Sequence, residues 1–77
     1  MLIKVDRGTY IRKESISHYE ILQNGNTFIL NAVMPGQTIT IKQSTIYNVL
    51  VSLMKYIEKD NKKELMISVD DIHELNY

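Results

Sequence analysis

A run of apolar residues between Thr27 and Ile57, first alternating and then helix-periodic, narrows the folds open to this chain. From Thr27 to Met34 the residues Phe28, Leu30, Ala32 and Met34 fall on one face at period two, opposite Thr27, Ile29, Asn31 and Val33. A uniformly apolar face of that kind marks a strand covered on one side. Pro35 fixes φ at the second position of a turn and Gly36 accepts positive φ at the third, so Met34–Gln37 reads as a type II turn. The next seven residues, Gln37 to Gln43, alternate again, with Ile39 and Ile41 inward and Thr38, Thr40 and Lys42 outward. Thereafter the period changes. Ile46, Val49, Leu50, Leu53, Met54 and Ile57 lie at i, i+3, i+4, i+7, i+8 and i+11, the stripe of an amphipathic helix. The helix is expected over 44–59 with Ser44 as N-cap. Tyr47 and Val51 widen its apolar face, leaving area for the C-terminal segment or a second subunit.

The flanks read as more sheet. Met1 to Val5 is a first strand that can form an open edge, and Asp6–Thr9 a turn in which Gly8 is free to take positive φ. Tyr10–Arg12 extends the ladder, and Lys13–Ser15 is a polar bend. Ile16 to Leu22 forms a strand of mixed faces, and Asn24–Gly25 is the signal for a type I′ hairpin. Residues 65–69 make a last strand, the other candidate for an open edge, with Leu65, Ile67 and Val69 inward, and 70–77 form a tail or a turn capped by Asp70. The expected fold class is α+β in a single domain, 1–77, with strands and hairpins over 1–43. It is a small antiparallel β-sheet of four to five strands with two tight hairpins and one amphipathic helix packed across one face.

Composition bounds the rest. A chain of 77 residues buries only ~60–65% of its unfolded surface. It holds no cysteine to staple that small core. A homodimer is therefore an expected route to stability. A cytoplasmic location is expected, because Lys4, Asp6 and Arg7 interrupt any signal-like apolar stretch and no run approaches a membrane span. Lysine outnumbers arginine by seven to two and alanine occurs once. That bias is the codon signature of an AT-rich genome, as in many Gram-positive bacteria and their phages. Net charge is zero, but six cations face three carboxylates over 1–57 and three face six over 58–77. A neutral total disfavours general nucleic-acid binding, which rests on phosphate neutralisation.

No catalytic constellation stands out, and a non-enzymatic protein without a cofactor is expected. Thiol chemistry is excluded, none of the serines sits in a glycine-flanked elbow, and a Ser–His pair with His18 or His73 would need the fold to assemble it. Asp70, Asp71, His73 and Glu74 bunch metal-ligating types without a metal-site spacing, so they read as a solvated tail. Gly8, Gly25 and Gly36 are isolated in turns and none opens the helix, against a phosphate loop. Five tyrosines and no tryptophan remain. Tyr10, Tyr19, Tyr47 and Tyr56 are candidate protein-binding residues, since tyrosine is enriched at interface hot spots. The expected function is a protein-interaction module: a regulator or inhibitor that occludes another protein, encoded by a phage or mobile element, for example against a host defence nuclease. The alternative is a nucleic-acid-binding regulator using Arg7, Arg12, Lys13 and Lys42, with Lys4, Tyr10 and Tyr19 beside them.

Overall fold

The computed structural model of the protein describes residues 1–59 and 66–71. Strands β1 (Leu2–Asp6) and β2 (Thr9–Arg12) form a first hairpin, followed by a short 3-10 turn at Lys13–Ser15. Strands β3 (His18–Asn24), β4 (Thr27–Met34) and β5 (Gln37–Ser44) then lead into helix α1 (Tyr47–Glu58). A three-residue strand, β6 (Met66–Ser68), and a second 3-10 turn at Val69–Asp71 complete the described residues.

The expected α+β class holds, but the single four- to five-stranded sheet divides into two three-stranded sheets, ordered β2-β1-β6 and β3-β4-β5. The second is antiparallel throughout. In the first, β1 pairs antiparallel with β2 and parallel with β6 and so forms its middle strand; of the two strands expected as an open edge, the later one, β6, is at the edge. The division begins at the 3-10 turn. There the chain leaves the β1–β2 ladder, and the Ser17 N–H donates to the Val33 carbonyl at 2.8 Å just before β3 pairs with β4. The last strand runs parallel because it follows the helix and returns to the open side of β1, matching Leu2, Ile3 and Lys4 with Met66, Ile67 and Ser68.

One apolar core lies between these layers. The first sheet contributes Ile3, Ile11 and Ile67; the second, Leu30, Ala32, Met34 and Ile41; the helix, Leu50, Leu53 and Ile57. The face assigned to β4 from alternation is therefore the buried one, with Phe28 partly covered at its end. Four members of the expected helical stripe, Val49, Leu50, Leu53 and Ile57, are buried, while Ile46 remains exposed. Burial of such side chains stabilises by about 1.5–3 kcal/mol each, the main force joining sheets and helix.

Local details depart from expectation in instructive ways. Ser44 is the last residue of β5, paired with Phe28, so it does not cap the helix. Its hydroxyl accepts the Ile46 N–H at 3.0 Å, turning the chain two residues before α1 begins. The β3–β4 turn centres on Gly25–Asn26, between the paired Asn24 and Thr27. Only Gly25 has positive φ, at 62°, which is the type II′ pattern and not type I′. Pro35–Gly36 is as expected, with φ of 81° at Gly36. Gly8 needs no positive φ, because the Asp6 carboxylate accepts the Gly8 N–H at 2.9 Å and holds that turn. The expected tail and Leu65 lie largely outside the described residues.

Candidate functional site: the outward face of the first sheet

Period-two geometry builds the most distinctive surface. Ile3, Ile11 and Ile67 are mutually aligned on β1, β2 and β6 and are all buried. Their neighbours along each strand must point the other way. Register then forms two rows across the sheet: Tyr10, Lys4 and Ser68 in one, Arg12, Leu2 and Met66 in the next. Leu2 is 38% exposed, and Tyr10 and Met66 are each 51% exposed. Three of the large apolar side chains that the described residues leave in water thus stand on adjacent strands of one sheet.

The electrostatics of this face are one-sided. The charged groups in these two rows are Lys4 and Arg12, and none of the six positions in them carries a carboxylate. Two neighbouring acids are occupied elsewhere. The Asp6 carboxyl is held below the usual range mainly by the Gly8 N–H and the Thr9 hydroxyl. Glu14 is likewise lowered, first by its hydrogen bond from the N-terminal ammonium of Met1 at 2.8 Å, with a through-space contribution from Arg12.

The tyrosines do not form one patch. Tyr10 stands on this outward face. Tyr19 is on the core side of β3, half-buried against the cluster, and its hydroxyl is pushed up by burial and by the nearby Glu58 charge. Tyr47 opens α1 and meets Phe28 edge-to-face with ring centroids 5.4 Å apart. Tyr56, near the helix end, packs partly against the core. The expected cationic group is also dispersed. Arg7 lies in the β1–β2 turn and Lys13 in the 3-10 turn, where its ammonium donates to the Lys59 carbonyl at 3.3 Å. Lys42 is on β5, in the other sheet, beside the bulge that buries Ile41. Of that set only Arg12 belongs to the face, joined by Lys4.

Compared with protein-family models, curated proteins and solved structures, the chain matches none of them significantly.

An open cleft of about 520 Å³ lies between the first 3-10 turn and the β4–β5 turn, lined by Glu14 to Ser17, Met34, Pro35 and Gln37. It offers serine hydroxyls and a carboxylate already held by the ammonium. His18 is absent from that lining and pairs with Val33 on the outward side of the second sheet. His73 lies outside the described residues. Among the described residues, no group of three or more His, Asp or Glu side chains converges as a metal site. The described helix is too short to cross a membrane.

Leu2 and Met66 escaped sequence reasoning as site residues, although a signal was present. Inward Ile3 and Ile67 oblige Leu2 and Met66 to point outward. The parallel pairing that makes them neighbours has no local signature.

Proposed function

We propose that this protein is a small interaction module, a regulator or inhibitor that acts by binding and occluding another protein through the outward face of β2-β1-β6. What supports the reading is the juxtaposition of exposed Leu2, Tyr10 and Met66 on three paired strands, with Lys4 and Arg12 in the same two rows. Exposed aromatic and aliphatic groups beside an arginine are a composition found at protein-binding surfaces, in which a few such groups carry most of the energy. Inhibition of a host enzyme, a defence nuclease among them, is the instance that the size and codon bias motivate.

The nucleic-acid reading has less to draw on. Lys13 and Lys42 lie away from the face, and two cations supply a salt slope of only about −1.4 on a single strand.

The test is site-specific crosslinking in cells of the source organism, with a photoreactive residue at position 10 and a control at position 38. A protein captured from position 10 alone, and lost on Leu2→Ser/Met66→Ser substitution, is the expected result. Equal capture from both positions rejects this face as the binding surface.

A further inference from the structure

Resting on that reading, we infer that Met66 is a redox modification site that switches the face. A peroxide converts its thioether to the sulfoxide and closes the face to its partner, and reduction reopens it.

Access selects the residue. The chain holds four methionines and no cysteine to compete for an oxidant. Met34 is 8% exposed, and so is the side chain of Met1. Met54 is half-buried against the core cluster. Met66 is the one exposed methionine, at 51%. The fold imposes this difference. Ile67 is buried between the layers, so Met66 stands on the opposite side of β6, with its long side chain directed away from the sheet. An oxidant must touch sulfur to react, and in the folded chain it meets Met66 first.

The reaction transfers one oxygen. The Sδ lone pair attacks the peroxide, the O–O bond breaks, and a sulfur–oxygen bond forms. The second peroxide oxygen leaves as water after proton transfer, so sulfur is oxidised by the electron pair that reduces the peroxide. A flexible apolar side chain thereby becomes polar and chiral. Met66 is directly opposite Leu2 on β1, which has no donor to offer the new oxygen. Covering that oxygen with an apolar group of a partner leaves a polar atom desolvated and unpaired, which opposes binding. Methionine sulfoxide reductases reverse the step: the oxygen leaves as water while their thiol reductant becomes a disulfide.

The first measurement treats the full chain with limiting hydrogen peroxide and follows its methionines by peptide mass spectrometry. Met66 sulfoxide is expected first, and its lead is expected to vanish in urea. Earlier oxidation of Met1, Met34 or Met54, or the same lead in the unfolded chain, overturns the modification site. The second measurement uses the protein captured from position 10 in cells, isolated as the probe. Its capture is expected to fall at least about tenfold after oxidation. Capture is expected to return with reductases for both sulfoxide epimers and a thiol, and to withstand peroxide in Met66→Leu. Met66→Gln, checked for an unchanged amide spectrum, is expected to lose capture without any oxidant. Undiminished capture by the oxidised native chain overturns the switch and leaves the face standing. Failure of position 10 to capture any protein before oxidation overturns face and switch together.

Discussion

At the scale of single residues, two polar side chains are placed where their surroundings change their behaviour. Asn31 is only 7% exposed although it lies on the outward side of the second sheet. Its carbonyl accepts the Thr40 hydroxyl at 2.8 Å and its amide donates to Glu20 at 3.3 Å, a polar rung across β3, β4 and β5. Asn31→Ala strands both partners and is expected to cost about 1–2 kcal/mol, read as a lower urea midpoint at unchanged slope. Tyr19 is the second case. Its raised pKa means that the unfolded chain loses the phenolic proton first, so this contribution is whole below the ordinary value of about 10 and is lost as pH climbs through the folded value. The alkaline loss of stability in the native protein is expected to be steeper than in Tyr19→Phe, measured by urea midpoints from about pH 9 to 11. An identical slope in the two proteins rejects a desolvated Tyr19. Sequence alone left both faces of this strand mixed and so did not place Tyr19, and its neighbour Glu58 comes from a helix no local pattern could bring there.

Elements differ in how openly the sequence announces them. The hairpin from β4 to β5 and the helix after it were legible because alternation, turn chemistry and helical period agree over thirty residues. The turns themselves were only partly so. Asn24–Gly25 signals a hairpin, yet cross-strand register moved the turn one residue on, to Gly25–Asn26. Three glycines in three turns separate cleanly in an experiment. No atom lies within 4 Å of a methyl group added at any of them, so backbone conformation alone decides the outcome. Gly25→Ala and Gly36→Ala force an L-residue to φ of 62° and 81° and are expected to destabilise by about 1–2 kcal/mol. Gly8→Ala is expected to stabilise by about 0.4–1 kcal/mol, through loss of unfolded-state freedom. Thermal midpoints of the three variants decide the matter, and a destabilised Gly8→Ala contradicts this account of the first turn.

For the whole molecule, the small core sets the tolerance to change. A chain of this length is stable by about 4–12 kcal/mol. Leu53, wholly inaccessible at the centre of the helix face, is expected to cost about 2–5 kcal/mol as Leu53→Ala. A drop in thermal midpoint on the order of 10 °C or more follows. The pairing of β6 with β1 was the least legible part of the fold, since a three-residue strand carries almost no pattern and its partner lies more than sixty positions away. The same gap hid part of the candidate face, of which Lys4, Tyr10 and Arg12 could be named but not Leu2, Met66 and Ser68. That parallel pairing also sets how the protein bears a load. Tension applied at Met1 and Asp70 drags β1 and β6 in opposite directions along their length, so their hydrogen bonds are sheared together instead of being peeled one by one. In a single-molecule pulling experiment the first event is expected to be one abrupt rupture, with the β3–β4–β5 hairpins unzipping at lower force afterwards. The fold is fastened where its first and last described strands meet, and that fastening is its mechanical latch.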